Sequence, residues 1–278
     1  MSIFDWLKNT SGGGPEVDVS ESSAVRDIAL RLADLGSEKA RWTAAFAMVL
    51  ARAARADLDI SSVWVRDPDA AADMATPSGA IISSELDHVV EAADVVIDFS
   101  LFEATEQVAA AVSRHSKPLV CGVSGLADAQ LAALENAAQA VPVVYDRNMS
   151  QGVAVLQELV GRAARSLGDE FAIEIHETHH VHKKDAPSGT ALKLGESVAS
   201  ARNQEGADSV HYQSERRGEV PGDHEVIFSS PTERLTLGHS VTTRTVFAEG
   251  ALRAARWISG RQPGLYDMHD VLFGENTD

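Results

Sequence analysis

The chain has 278 residues, of which 44% are hydrophobic, and its 24 Lys and Arg against 41 Asp and Glu give a net charge of −17. An acid excess of this size repels nucleic-acid phosphates and anionic lipid, and the apolar runs are too short to span a membrane. We therefore expect a soluble cytoplasmic protein with two domains or one large one. A single cysteine, Cys121, excludes an internal disulfide and any multi-cysteine metal site.

The N-terminal part of the chain predicts helices. Residues 8–23 are rich in Gly, Ser and acids and predict a flexible lead-in. Apolar residues then recur at helical spacing from Val25 to Leu35, and Gly36 can end that helix. A second apolar helical stripe follows, so residues 24–56 predict an antiparallel helix pair.

From about residue 62 the pattern alternates between strand and helix. The alternating segments are apolar runs at 95–100, 118–125 and 141–150 and helical stretches at 104–115 and 128–140. This alternation predicts a parallel sheet that binds ligands at the carboxyl ends of its strands, although ordinary polar turns would give similar tips. The candidate ligand-binding ends are Asp98-Phe99-Ser100, Gly122-Val123-Ser124 and Asp146-Arg147-Asn148-Met149.

The second half of the chain predicts a different sheet. A helix over 153–167, a strand over 171–180 and a helix from Thr190 precede several strand-like runs, the last of them at 240–247. These runs indicate a mixed or antiparallel sheet. The tail predicts a helix over 250–260, and residues after it could return to the first domain.

The segment HETHHVHKKDAPSGT carries the clearest chemistry. It places His176, His179, His180, His182, Lys183 and Lys184 directly before a Pro-Ser-Gly-Thr turn. Histidine exchanges protons near neutral pH, so the cluster suits proton transfer to an anionic substrate. Ser188 or Gly189 can cap the following helix, whose free N–H groups then suit a carboxylate or phosphate.

Two other interpretations of this segment remain open. The turn could be only a capped helix beside exposed side chains. Alternatively, His176, His180 and His182 could share one face and hold a metal ion. Because adjacent lysines oppose a cation, we favour anion binding and expect no metal.

This segment resembles the signature of the 4-hydroxy-tetrahydrodipicolinate reductase family, also called dihydrodipicolinate reductases. VVIDFS, CGVSGL, DRNMSQGVAVL and RRGEVPGDHEVIF accompany it in the family's order, from about residue 79 to 278. The resemblance implies a Rossmann-like parallel sheet followed by an α+β domain. It also implies NADH- or NADPH-dependent reduction of a small dicarboxylate in the diaminopimelate route to lysine, by a homotetramer.

The resemblance also implies roles for individual residues. His179 becomes the general acid/base and Lys183 the proton donor. His180 and the backbone of Gly189 and Thr190 hold the substrate carboxylates, and Arg244 faces the substrate. The implied cofactor-binding residues are Phe99, Ser100, Gly122, Val123, Ser124, Asp146, Arg147, Asn148 and Met149.

The chain departs from the family at its start. The family's first strand enters a Gly-rich turn that cradles the pyrophosphate, whereas this chain offers only Gly36 near the expected place. Residues 1–62 instead resemble the tellurite-resistance TerB-like class. We therefore expect helices to replace the first strand and the turn, and cofactor affinity to fall.

Three segments follow from these resemblances. We expect a helical N-terminal segment at 1–62, a dinucleotide-binding-like domain at 63–150 and 245–278, and a substrate-binding and oligomerisation domain at 151–244. The alternative to an active reductase is a catalytically silent dicarboxylate-binding or assembly protein.

Overall fold

The computed structural model describes residues 27–31, 58–69, 79–204, 206–207 and 209–274, which form two sheets and their covering helices. The first sheet contains β1 Asp27–Arg31, β2 Asp59–Trp64, β3 Ile81–Ser83, β4 Val95–Asp98, β5 Leu119–Cys121, β6 Pro142–Tyr145 and β11 Gly264–Tyr266. The helices that pack on it are α1 Leu86–Glu91, α2 Thr105–Arg114, α3 Asp128–Ala138, α6 Thr245–Ile258 and α7 Met268–Phe273. The second unit contains α4 Gln151–Leu167, β7 Ala172–His179, α5 Gly189–Ala201, β8 Val210–Arg216, β9 Asp223–Ser229 and β10 Arg234–Ser240.

The first sheet is the predicted parallel one. Its strand order is β11-β6-β5-β4-β1-β2-β3, and every neighbouring pair is parallel. The order reverses between β1 and β4, since successive strands lie on opposite sides of that point. In open parallel sheets such a reversal leaves a crevice at the carboxyl ends of the strands. The Rossmann-like fold class is therefore confirmed.

The predicted helix is wrong over Asp27–Arg31, where the chain forms β1. This strand is central: Ile28 pairs with Ile60 of β2 on one side and with Val95 of β4 on the other. Periodicity alone cannot separate a short apolar strand from a helical segment, and pairing along both edges favours the strand. Helices therefore do not replace the first strand. The second predicted helix and Gly36 lie outside the described residues.

Both faces of the first sheet are buried. Ile97 and Val144 point to the side covered by α6 and α7, and Val96 and Val143 point to the side covered by α1, α2 and α3. Cys121 is fully buried on the second side, as expected of a small hydrophobic residue. Apolar side chains thus pack on both faces of these strands, and the buried polar residues Asp98, Ser100 and Asp146 lie at the carboxyl edge.

The second sheet is mixed, as predicted. Its order is β10-β9-β7-β8, with β7 and β8 parallel and the other neighbouring pairs antiparallel. Helices α4 and α5 cover one face, where Leu156 and Leu194 pack with Ile173 and Ile175. Alternation along β7 puts Glu177 and His179 on this buried face.

The strand predicted over 240–247 is wrong beyond its first residue. Strand β10 ends at Ser240, and α6 begins at Thr245. The β-branched residues of this stretch favour a strand, but the helix packs Phe247 and Ala248 onto the first sheet's core, so tertiary burial overrides local propensity. The predicted return to the first sheet is confirmed by β11, which pairs with β6. Among the described helices, none has the length and apolarity needed to cross a membrane.

Candidate active site

A cavity of about 770 Å³ lies between the carboxyl edge of the first sheet and the start of α5. It brings together all six predicted substrate and catalytic residues and six of the nine predicted cofactor residues. The former are His179, His180, Lys183, Gly189, Thr190 and Arg244. The latter are Phe99, Gly122, Ser124, Arg147, Asn148 and Met149.

The other three predicted cofactor residues lie behind the cavity wall. Ser100 and Asp146 are each 4% exposed and Val123 is 2% exposed. The backbone N–H of Ser100 donates to Asp98 Oδ1 at 2.9 Å, which shapes the turn after β4. These three residues support the edge of the first sheet rather than line the cavity.

His179 ends β7 on the buried face and lines the cavity. Its Nδ1–H donates to Oε2 of Glu177, whose side chain is fully buried. Arg216 grips the same carboxylate with both terminal nitrogens, at 3.1 Å and 2.9 Å. Burial lowers the pKa of His179 below its usual range, although the Glu177 carboxylate opposes that effect. The neutral imidazole is therefore the resting form near neutral pH.

The loop after β7 carries the remaining polar groups of this wall. Lys183 Nζ lies 2.8 Å from Asp185 Oδ1, and both side chains line the cavity. Burial and the nearby Arg244 guanidinium lower the pKa of His180. The Lys183 ammonium holds the pKa of Asp185 below its usual range despite partial burial. Cationic groups thus face the cavity with one acidic neighbour.

The start of α5 forms the floor beside these groups. Ser188 is its N-cap, because Ser188 Oγ accepts from the backbone N–H of Ala191 at 3.2 Å. The free N–H groups of Gly189 and Thr190 begin the helix at the cavity wall, where a helix N-terminus favours an anion. Asn148 Nδ2 donates to Thr190 Oγ1 at 3.0 Å, which ties the first sheet to this helix.

The edge of the first sheet suits a flat heteroaromatic ring. Phe99 lies against Gly122, where an added Cβ would come within 2.3 Å of the Phe99 ring. The glycine therefore lets the aromatic ring lie close over the end of β5. An aromatic side chain, side-chain-free backbone and the Ser124 turn fit the nicotinamide end of a dinucleotide. The pyrophosphate contacts expected after β1 would fall in residues outside those described.

Four residues of the site were not predicted from the sequence: Glu177, Arg216, Tyr145 and Asp185. The alternation along β7 could have indicated Glu177, because it lies two positions before His179 on the same face. No local signal pointed to Arg216, which reaches His179 only through the pairing of β7 with β8. Tyr145 and Asp185 also line the cavity. Burial raises the pKa of the Tyr145 hydroxyl.

The histidines of the open metal alternative lie in different surroundings. His176 Nε2 contacts Glu174 Oε2 at 3.0 Å. The His180 and His182 rings are 6.1 Å apart, and His182 Nε2 lies 3.6 Å from Glu219. Within the described ranges, these three do not form a group close enough to share one ion.

Two family models match the chain. The model described as dihydrodipicolinate reductase, N-terminus, matches residues 47–149, and the model described as dihydrodipicolinate reductase, C-terminus, matches residues 152–272. The chain belongs to the dihydrodipicolinate reductase family. Its similarity to the family begins upstream of residue 79, inside the segment 1–62.

The curated relatives of this chain carry the name 4-hydroxy-tetrahydrodipicolinate reductase. The protein of Halorhodospira halophila is 43% identical over 210 residues, 70% of this chain and 79% of that relative. The protein of Wolinella succinogenes is 42% identical over 230 residues, 77% of this chain and 88% of that relative. Membership of this family makes the chain an NAD(P)H-dependent oxidoreductase of lysine biosynthesis, and its first sheet is the Rossmann-like nucleotide-binding domain.

Solved structures show the same fold. The dipicolinate-bound dihydrodipicolinate reductase from Paenisporosarcina sp. TG-14 superposes with a TM-score of 0.71 at 17% identity, covering 90% of this chain and 99% of that chain. An amine dehydrogenase from Mycobacterium smegmatis superposes with a TM-score of 0.62 at 8% identity, covering 90% of this chain and 97% of that chain.

Proposed function

We propose that this protein reduces 4-hydroxy-tetrahydrodipicolinate to tetrahydrodipicolinate, using NADPH or NADH. The ring loses its hydroxyl group as water, and the conjugated ring then takes up a hydride and a proton. The observation that carries the proposal is the convergence of His179, Lys183 and the start of α5 on one cavity that also meets the carboxyl edge of the parallel sheet. A nicotinamide bound at that edge supplies the hydride.

The proton-handling groups stand on the second unit's side of the cavity. His179, held neutral by burial, serves as the general acid/base through Nε2, because its Nδ1–H is committed to Glu177. Lys183 donates the proton that completes the reduction. Its pairing with Asp185 leaves two ammonium hydrogens for the substrate.

The carboxylates of the substrate bind where positive charge and free amides meet. The backbone N–H groups of Gly189 and Thr190 at the start of α5 hold one carboxylate, with His180 beside them. Arg244 lines the same cavity and can meet a carboxylate with a planar, two-pronged contact. These donors hold the ring in place before the chemical step.

The cofactor site is proposed at the ends of the strands β4, β5 and β6. Phe99, Gly122, Ser124, Arg147, Asn148 and Met149 would contact the nicotinamide end, with Ser100, Val123 and Asp146 supporting them. The choice between NADPH and NADH depends on contacts near the adenosine ribose, so both are candidates. Weak binding of the pyrophosphate remains a prediction, since it rests on residues after β1.

A steady-state assay tests the activity. Substrate generated in place by a dihydrodipicolinate synthase is offered with NADPH or NADH, and oxidation of the nicotinamide is followed by absorbance. We expect turnover that falls about 100-fold or more in His179→Gln and in Lys183→Met. An absence of turnover at millimolar concentrations of both cofactors would reject the enzyme and leave the catalytically silent dicarboxylate-binding or assembly protein.

Calorimetry separates these two outcomes. Pyridine-2,6-dicarboxylate is titrated into the protein with and without NADPH. Mutual strengthening of binding supports the reductase, whereas binding that ignores the dinucleotide supports the silent protein. Arg244→Gln should weaken binding of the dicarboxylate, and Arg234→Gln, an exposed change on β10, should not.

Organisation and location complete the proposal. The first sheet includes β1 and β2, so the predicted start of its domain at residue 63 is wrong. We propose that the strands and helices of the first sheet, including β1, β2 and residues 245–278, form the dinucleotide-binding-like domain, and that residues 151–244 form the substrate-binding and oligomerisation domain of a cytoplasmic homotetramer. The resemblance of residues 1–62 to a TerB-like segment stays a prediction, although the first of its helices gives way to β1.

A further inference from the structure

One guanidinium group joins the two sides of the proton-handling site. Arg216 is the register partner of His179 in the parallel β7–β8 pair. Its two terminal nitrogens donate to the two oxygens of Glu177, at 3.1 Å and 2.9 Å, and one of these oxygens, Oε2, also accepts from His179 Nδ1–H. The Glu177 side chain is fully buried, so this carboxylate depends on its protein partners for stabilisation.

The same group also fixes the loop that carries Lys183. Arg216 Nε donates to the backbone carbonyl of Lys183 at 3.2 Å, and a terminal nitrogen donates to the carbonyl of Asp185. The loop therefore cannot move away from β7 without breaking contacts with Arg216. The planar five-donor group can satisfy a carboxylate and two carbonyls together, whereas lysine cannot.

The charges around His179 act in opposite directions. Glu177 on β7 favours the protonated imidazole, while Arg216 on β8 and Lys183 on the loop disfavour it. His224 on β9 packs edge-on against the His179 ring, with centroids 5.1 Å apart, and Asp185 lies beside Lys183. Removing the Glu177 charge should therefore lower the pKa of His179, and removing the Arg216 charge should raise it.

We infer that Arg216, acting through Glu177 and through the Lys183 loop, is a positioning residue that sets the tautomer of His179 and holds both proton-handling groups at the substrate. This inference rests on the proposed function for the roles of His179 and Lys183. This positioning role differs from that of an ion pair that only stabilises the fold, because it also determines which nitrogen of the His179 ring carries the proton. A structural pair would change stability without choosing which ring nitrogen faces the cavity.

Nuclear magnetic resonance tests the inference without any turnover. Full-length protein labelled with 15N-histidine is titrated with pH, and the His179 signal is identified by its loss in His179→Gln. We expect the wild-type ring to carry its proton on Nδ1. Glu177→Gln should lower the pKa of His179 and Arg216→Gln should raise it, each by about one unit. Shifts of the same sign, or no shifts, would overturn the inference.

Kinetics with a conservative variant separate charge from geometry. Arg216→Lys keeps the positive charge but loses the two-pronged grip and the contacts with the loop. We expect a near-normal pKa of His179 with kcat reduced about 10- to 100-fold and KM changed less than about threefold. Arg217→Gln is the matched control, because the Arg217 side chain is 64% exposed and its guanidinium forms a long, exposed ion pair with Glu215, with 3.8 Å between the nitrogen and Oε1. A normal kcat in Arg216→Lys would contradict the inference.

The two proposals fail in different ways. If the wild-type protein shows no turnover but the opposite pKa shifts appear and Arg216→Gln changes the tautomer of His179, the proposed reaction fails and the positioning by Arg216 stands. If turnover occurs and the His179 tautomer is the same in Arg216→Gln and the wild type, the positioning role fails and the reaction stands. Circular dichroism of Arg216→Lys verifies that the protein tested is folded.

Discussion

His224 and His239 face each other directly across the β9–β10 pair, and each reaches the N-cap serine of a different helix. His224 Nε2 lies 3.3 Å from Oγ of Ser188, the N-cap of α5, and His239 Nε2 lies 3.4 Å from Oγ of Ser150, the N-cap of α4. Both rings are desolvated, and burial lowers the pKa of both. The paired residues His224 and His239 of the second sheet thus contact the N-cap residues of both covering helices.

The first prediction concerns stability at acid pH. Burial lowers the pKa of His224 from 6.5 to about 3. Between these two pH values the unfolded chain binds a proton at His224 and the folded protein does not. The contribution of neutral His224 to the unfolding free energy is therefore fully present above about pH 6.5 and is lost as the pH falls towards about 3. Between about pH 7 and about pH 5 this histidine alone should remove about 2 kcal/mol.

Urea unfolding at several pH values checks this dependence. His224→Gln should be less stable at neutral pH but should lose less stability on acidification than the wild type. His182→Gln is the control, because its side chain is 74% exposed. A fall with pH in His224→Gln as steep as in the wild type would refute the assignment to His224.

The second prediction separates the two N-cap serines. Ser188→Ala and Ser150→Ala each remove a helix cap and should each lower the unfolding free energy by about 1 kcal/mol. Only Ser188 lines the cavity, so only its loss should also displace the amides of Gly189 and Thr190. We expect KM for the dicarboxylate substrate to rise about fivefold in Ser188→Ala and to stay constant in Ser150→Ala. Equal effects on KM would contradict this arrangement.

The third prediction concerns Gly122. An added Cβ would lie 2.3 Å from Cε1 of Phe99, so Gly122→Ala must push the ring out of its position. Because Phe99 belongs to the proposed nicotinamide site, KM for NADPH should rise about tenfold. Gly161→Ala on α4 is the control: its Cβ would meet nothing within 4 Å, and we expect a gain of about 0.5–1 kcal/mol in stability with unchanged kinetics. An unaltered KM for NADPH in Gly122→Ala would contradict the prediction.

The fourth prediction compares a buried and an exposed ion pair. Lys193 Nζ lies 2.6 Å from Oδ2 of Asp146, whose side chain is 3% exposed, so Lys193→Met leaves a buried carboxylate without its cation. We expect a loss of about 3 kcal/mol in unfolding free energy, measured by urea denaturation. Arg162→Met breaks the pair with Glu158 at the surface, where Arg162 is 73% exposed, and should change it by less than about 0.5 kcal/mol. Similar losses in both variants would show that burial does not matter here.

The sequence by itself determined the parallel sheet, the mixed sheet and most of the candidate site. The alternation of apolar runs and helices is a local property, and so is the crowding of His179, His180 and Lys183 before a capping turn. Their resemblance to a family then added roles that composition does not contain. The structure brings His179, His180 and Lys183 to one cavity because they lie within a few positions of one another, and their roles stay proposals.

Only the tertiary structure decided the features that depend on distant partners. Asp27–Arg31 is a strand because β2 and β4 pair with both of its edges, and Thr245 begins a helix because the first sheet buries the residues that follow it. Arg216 meets Glu177 across 39 positions through the parallel pairing of β7 with β8. Local periodicity carries no information about such pairings, since burial and hydrogen bonding arise only when the segments meet.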